Sequence, residues 1–435
     1  MLGGLRQTSF TDEFGLPQPA WTSLPTTKMK RPNRADAFAW CYSYTGFSLA
    51  FARAAIAQLG VQAGSSVVDP FVGSGTTLVA AALAGCSALG VDINPFSTLL
   101  SRARLATKAD IGRVLDYLKT RTRKHIRECG EQVLHPRDQV YVDAVAAKIF
   151  DYHKLEPRRF WTALLEDDVG RFDSEAVVIL SLALGARDSA RLVRGSNPIW
   201  YRKTSDGRDA DASDLKAAAI RWGTSIVRDL VSASSIDRNG IKIINTDFNS
   251  DQLTGAFDFC LTSPPYLNRL DYVVAHLPEL AVLQLITSVD IERLRSAMIG
   301  TTKIVAKDES PVPVDWGPTC LQTLSKIWDH KAYASRRYYY HTYRQYFAGL
   351  YCSFEKVTEL LRTRSHGALV IQNSFYKDVN VPTPIIASEM LQALGWRSEI
   401  VRTALVKVHM GRMSPKQTAY APHKTLGESI MHFSR

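Results

Sequence analysis

Between Ser66 and Asp92 the chain runs through an apolar strand, a glycine turn, a helix of small residues and a second apolar strand, all in under thirty residues. Ser66-Val67-Val68-Asp69 reads as a short buried strand, Thr77 to Ala84 as a helix, and Ala88-Leu89-Gly90-Val91-Asp92 as the next strand after Gly85. Such a βαβ unit makes its two strands parallel, because a right-handed crossover returns the chain to the same edge of the sheet. Ligands of the finished sheet then lie outside the carboxyl ends of its strands. The chain is therefore committed to the α/β class.

The pattern around this unit extends it. Apolar residues recur at helical spacing from Phe47 to Leu59 and stop at Gly60. β patterning returns at Ile241 to Thr246 and Phe257 to Leu261. A long helix from about Tyr343 to Arg362 leads into a strand at Ala368 to Gln372, a helix at Pro384 to Leu394 and a strand-like run at Arg397 to Val408, with β and α segments alternating to the end. One doubly wound, mostly parallel sheet interrupted twice accounts for this order. Residues 1–35, rich in Gly, Pro and Thr and carrying Lys28-Met29-Lys30-Arg31, read as an N-terminal arm, and 36–107 with 240–435 as the catalytic domain. Residues 108–239 read as a mainly helical insertion with a basic start (Arg113, Lys119, Arg121, Arg123, Lys124, Arg127), and about 288–335 as a second, smaller one.

A chain of 435 residues, 46% hydrophobic and 22% charged, can bury a full core, which sets aside fibrous and disordered classes. The 53 Lys and Arg against 42 Asp and Glu leave a formal charge of +11, a field that attracts polyanions. Six scattered cysteines show no CxxC pair and no metal-ligand spacing. Neither an apolar signal segment in Met1 to Pro17 nor a bilayer-spanning run is present, so the expectation is a cytoplasmic protein without membrane contact.

The glycine turn is Asp69-Pro70-Phe71-Val72-Gly73-Ser74-Gly75-Thr76-Thr77. A phosphate loop needs Lys after its last glycine, and a dinucleotide fingerprint needs a third glycine where Leu78 stands, so triphosphate and pyrophosphate ligands are both disfavoured. A ligand with a ribose, an adenine and a cationic centre remains, and S-adenosylmethionine has all three. Asp92 is placed for ribose hydroxyls, Asp69 for a ligand ammonium, and Asp247 with Phe248 for adenine. Helix caps or solvated strand ends are the ordinary alternative for these aspartates.

At Thr262-Ser263-Pro264-Pro265-Tyr266 two prolines follow an apolar strand and fix its exit. Acceptors at Ser263 and Pro264 can hold the hydrogens of an exocyclic amine so that its lone pair points at a methyl donor, while Tyr266 offers a face for a base. An ordinary rigid turn is the alternative.

Together these residues resemble the amino-methyltransferase family that makes N4-methylcytosine or N6-methyladenine in DNA. Asp69 to Thr77 resembles its cofactor motif, through Asp69, Pro70, Phe71, Gly73, Gly75, Thr76 and Thr77. Asp92-Ile93-Asn94-Pro95 resembles its ribose motif, Ser263 to Tyr266 its catalytic motif, and the segment around Tyr44 to Phe51 a further cofactor contact, with Tyr44 the candidate. The resemblance covers roughly residues 40 to 107 and 240 to 408. It implies a Rossmann-like class I methyltransferase, S-adenosylmethionine as donor, duplex DNA with its target base flipped out, association with the nucleoid, and a cognate restriction endonuclease as partner. The serine form of the catalytic motif favours cytosine N4; adenine N6, an RNA base, or a non-catalytic nucleic-acid-binding subunit are the alternatives. Target recognition is expected in the helical insertion first and in 288–335 second. Arg336 to Arg344 and Trp200-Tyr201-Arg202-Lys203 combine cations with aromatics and suit phosphate and base contacts, although core packing explains Tyr343 and Tyr346 equally well. His409 and Arg412 are weaker candidates for phosphate.

Overall fold

The computed structural model describes residues 21–27, 40, 46–112, 173–189, 192–194, 201–203, 212–232, 236–250, 253–268, 270–286, 289–305, 307–308, 310–406 and 425–435. In chain order the described elements begin with α1 (Leu49–Gln58), β1 (Ser66–Asp69), α2 (Thr76–Leu83), β2 (Ser87–Asp92) and α3 (Pro95–Arg104). Then follow α4 (Asp173–Ser189), β3 (Leu192–Arg194), β4 (Tyr201–Lys203), α5 (Ala212–Ser232), β5 (Ile241–Asn245) and β6 (Phe257–Thr262). The rest are α6 (Tyr272–Ala275), α7 (Leu277–Ile286), α8 (Ile291–Ala297), α9 (Pro318–Asp329), a π-helical turn (Ser335–Tyr339), α10 (Tyr340–Leu360), β7 (Leu361–Gln372), β8 (Ser374–Tyr376), β9 (Val379–Val381), α11 (Thr383–Ala393), β10 (Arg397–Leu405) and β11 (Gly427–Ser434).

Seven strands form the central sheet in the order β10-β11-β7-β6-β1-β2-β5. Strands β5, β2, β1, β6 and β7 run parallel, and β11 is antiparallel to both β7 and β10. From β1 the chain builds outward to β2 and β5, then crosses back to β6 and β7, so the topological switch point lies between β1 and β6. Parallel strands need both faces covered, and period-two alternation does this. Val67, Ala88, Leu261, Ala368, Val370 and Ile430 enter the core shared with α1 and α2, whereas Val68, Leu89, Cys260, Leu369, Ile371 and Met431 enter the one shared with α9, α10 and α11. This is the Rossmann-like sheet of a class I methyltransferase.

Two expectations change. The run to the C-terminus does not simply alternate: β11 inserts antiparallel between β10 and β7, a long-range pairing that periodicity does not reveal. β7 also begins at Leu361 rather than Ala368. The polar stretch 288–335 holds α8 and α9.

Within the first insertion, α4 and α5 are not a separate body. Their apolar faces share one core with α3 and α7, through Val177, Leu180, Leu184, Ile226, Phe96, Leu99 and Leu280. The strands β3 and β4 pair with each other alone, while the basic run from Arg113 to Arg127 and the aromatic Trp200 lie outside the described residues. No described helix is long and apolar enough to cross a membrane.

Candidate functional site

An open cavity of about 900 Å³ sits at the switch point, beyond the carboxyl ends of β1, β2, β5 and β6. The loop after β1 contributes Pro70, Phe71, Gly73 and Ser74. The end of β2 contributes Asp92, Ile93 and Asn94; Asp247 and Phe248 follow β5, and Ser263 and Pro265 follow β6.

The glycine loop is fixed by its own surroundings. Gly73 lies at φ +51 and Gly75 at φ +77, backbone conformations that side chains other than glycine seldom adopt. A Cβ on Gly75 would also stand 2.9 Å from the Ser101 Cα of α3. Gly75 therefore lets α2 and α3 approach and does not line the cavity. Ser101 Oγ donates to the Gly73 carbonyl at 2.9 Å, and the buried Arg104 donates through Nη1 to the Ser74 carbonyl at 2.7 Å and to Thr76 Oγ1 at 3.0 Å. Thr77 Oγ1 reaches across to the Leu261 carbonyl at 3.2 Å. Thr76 and Thr77 are thus buried anchors, not cavity residues.

Asp92 accepts from the Gly73 amide at 3.0 Å and from the Asn94 amide at 2.8 Å, which sets its carboxylate on the cavity wall. Burial pushes this carboxyl up to about 6, against the two amide bonds that pull it down. Asp69 lies deeper. It is only 2% exposed and does not line the cavity; it accepts from Thr262 Oγ1 at 2.6 Å and from the Phe71 amide at 3.1 Å. In this structure its carboxylate ties the end of β1 to β6. Burial raises it, too, to about 6.

On the other side, Ser263 Oγ donates to the Val370 carbonyl at 3.0 Å, and Tyr346 Oη donates to the Pro265 carbonyl at 2.9 Å. Pro264 is buried, and Tyr266 is 5% exposed with its hydroxyl donating to Glu428 Oε2 at 3.1 Å. Neither lines the cavity. The Tyr266 hydroxyl is tied to the Glu428 carboxylate of β11, and Tyr272 of α6 is the tyrosine that lines the cavity. Because Ser263 has committed its only proton, its oxygen can act toward the cavity as an acceptor.

The remaining lining residues gave no motif: Phe96, Ser97 and Leu100 of α3, His276 before α7, and Ala297, Met298 and Ile299 at the end of α8. The polar stretch containing α8 thus closes the cavity. Burial pushes His276 down to about 3, with the positive charge of Arg187 adding to the effect, so it is neutral. Two carboxylates, Asp92 and Asp247, line the cavity and, among the described residues, no Lys or Arg does. Such a field favours a cationic ligand over a phosphate. Tyr44, His409 and Arg412 lie outside the described residues, and these hold no cluster of metal-binding side chains.

A DNA methylase family model matches residues 20–100, which include the glycine loop and Asp92. The type II methyltransferase M.AvaI of Nostoc sp. is 22% identical over 395 residues, 83% of this chain and 79% of that protein. M.BsoBI of Geobacillus stearothermophilus and M.MjaII of Methanocaldococcus jannaschii, also type II methyltransferases, are each 38% identical over shorter stretches of 58 and 72 residues, covering 13% and 16% of this chain and 11% and 13% of theirs. The rRNA methyltransferase aviRa from Streptomyces viridochromogenes aligns with 92% of this chain and 91% of its own, at 11% identity and a TM-score of 0.29, too loose a likeness to bear on function. The family match over the first βαβ unit and the long alignment to a type II methyltransferase make this chain similar to the DNA amino-methyltransferases, and the switch point of its sheet opens on a cavity lined by two carboxylates.

Proposed function

We propose that this chain transfers the methyl group of S-adenosylmethionine to the exocyclic N4 amine of cytosine at a specific site in duplex DNA. The observation that carries the reading is the opposition, across one cavity, of Asp92 and Asp247 on one side and an acceptor-only Ser263 on the other. The cofactor, when bound, supplies an electrophilic methyl on a sulfonium centre. Asp92 holds ribose hydroxyls with lone pairs left over from its two amide bonds, and Asp247 takes the adenine amino group beside Phe248 and Phe71, whose rings lie 6.2 Å apart. Gly73, Ile93 and Asn94 complete that wall.

The target amine is a weak nucleophile, since its lone pair is delocalised into the ring. Ser263 Oγ accepts one amine hydrogen and the proline-fixed backbone at Pro264 and Pro265 restricts its position, so the lone pair turns toward the donor. Tyr272 takes the stacking role expected of Tyr266, and Tyr266 positions the loop. Neutral His276 adds no positive charge against the sulfonium. Reaching the amine requires rotating the nucleotide out of the duplex, at a cost of a few kcal/mol that stacking partly offsets. Residues 36–107 and 240–435 form the catalytic domain in this reading, and a cognate endonuclease is its natural partner.

Incubating the protein with methyl-labelled cofactor and duplex DNA, then analysing the nucleosides by mass spectrometry, is expected to yield labelled N4-methylcytosine. Label found solely in N6-methyladenine overturns the choice of base. Label found in RNA but not DNA overturns the choice of substrate.

A further inference from the structure

The run Arg336 to Arg344 divides in two. Arg344 is buried, 2.7 Å from Asp308, and Tyr343 and Tyr346 fill the core, so that half is structural. The other half turns outward. Trp328 and Tyr333 are 40% and 82% exposed, the two aromatics among the exposed large apolar side chains of the described residues, and each lies under an arginine. The Arg336 guanidinium sits 5.4 Å from the Trp328 ring centre and that of Arg337 5.0 Å from Tyr333, with Arg337 Nη1 also donating to Tyr333 Oη at 2.8 Å. Exposed Lys326 and Lys331 flank them, and Asp329, 3.8 Å from Arg336, is the one acid between residues 326 and 340.

This knuckle stands on the catalytic edge of the sheet. α10, which continues from the π-helical turn, holds the Pro265 carbonyl through Tyr346. From the turn itself, Tyr338 Oη donates to the Thr302 carbonyl at 2.5 Å, close behind the cavity residue Ile299. His330 Nε2 lies 2.8 Å from Asp378 in the β8–β9 hairpin, which extends beyond the carboxyl end of β7. π-helical turns are rare and recur where function demands an irregular surface.

Resting on the DNA reading above, we propose that residues 326–337 form a docking surface for the DNA strand that carries the target base. Arg336 and Arg337 meet its phosphates, and Tyr333 and Trp328 meet the sugar and base faces beside them. Guanidinium groups already stacked on aromatic rings match a polymer that alternates charge with π surface, where a protein partner would need a matching acidic patch. The surface is separate from α4 and α5, whose apolar faces are used within the fold.

The test uses the full chain and random-sequence duplex DNA, with binding followed by fluorescence anisotropy across a salt series. The double substitution Arg336→Ala/Arg337→Ala is expected to weaken binding about 10- to 100-fold and to make the slope of log affinity against log salt shallower by about 2. Tyr333→Ala is expected to weaken binding without altering the slope. S-adenosylmethionine affinity, measured on the same samples, is expected to stay unchanged and shows that the fold is intact. If the wild-type chain binds and the double variant binds equally with the same slope, the docking surface is wrong while the DNA reading stands. If the wild-type chain binds no duplex, the DNA reading fails and this surface fails with it.

Discussion

The glycine loop and the Pro-Pro loop leave neighbouring strands and face one cavity, yet they are held by a different balance of local and distant bonds. Every described bond fixing the backbone of the first between Gly73 and Thr76 comes from residues 72–104: the Asp92 carboxylate, Ser101 Oγ and Arg104. The second has longer local bonds, from Ser263 to Tyr266 and from the Tyr266 amide to Tyr272, but its shorter ones come from far along the chain, from the Val370 carbonyl of β7, Tyr346 of α10 and Glu428 of β11. Only Thr262 to Asp69 and Thr77 to Leu261 join the two directly among the described side-chain bonds. The cofactor side is thus a local unit that a short sequence can specify, and the base side is assembled from tertiary contacts.

The harshest way to break this arrangement is Gly75→Val. A β-branched residue at φ +77 is strained, and its Cβ meets the Ser101 backbone, so α2 and α3 must part. A loss of about 3 kcal/mol or more in stability is expected, with S-adenosylmethionine binding abolished. Thermal melting and calorimetric titration check it. A variant that melts normally and binds cofactor would show that the loop does not depend on its local packing.

The next effect comes from pH. Burial lifts Asp92 and Asp69 from the usual 3.8 to about 6 in the folded chain. A raised folded value means that each contributes stability fully present below about pH 4 and lost as pH rises through about 6. Ribose hydroxyls donate to the ionised carboxylate, so cofactor affinity runs the other way. It is expected to fall about tenfold per unit as pH drops below about 6 for the one carboxylate in contact. Titrations between these limits should show the fall, and Asp92→Asn should flatten it. An unchanged profile in that variant would move the proton to Asp69.

The same contrast explains what could be read in advance. Strand, turn, helix and strand from Ser66 to Asp92 lie together, and each local preference agrees with the final fold, so their limits were legible to within one residue. The Pro-Pro loop was legible as a motif, since two prolines restrict a backbone wherever they stand. Its side-chain directions were not. Tyr266 bonds to Glu428, more than a hundred residues away on an antiparallel strand, and Tyr272, His276 and Met298 line the wall with no motif of their own. The bond of Asp69 to Thr262 was not legible either, since its partner belongs to another strand.

The gentlest probe sharpens the comparison most. Tyr346 is 1% exposed, and its hydroxyl is the described donor to the Pro265 carbonyl. Tyr346→Phe keeps the ring and its edge contact with Phe347, 5.4 Å between centres, while removing one buried hydrogen bond. About 1 kcal/mol of stability should be lost. The released carbonyl belongs to the residue after Pro264, so the amine-holding backbone gains freedom while the cofactor wall keeps all its bonds. A fall in kcat of several-fold, with S-adenosylmethionine affinity unchanged, is the expected split, because an interaction that orients the amine acts on the transition state and not on cofactor binding. Single-turnover methylation alongside equilibrium cofactor binding separates the two. If cofactor affinity fell in step with the rate, the two loops would be one mechanical unit, and the division between a locally built half and a tertiary half would have to be given up.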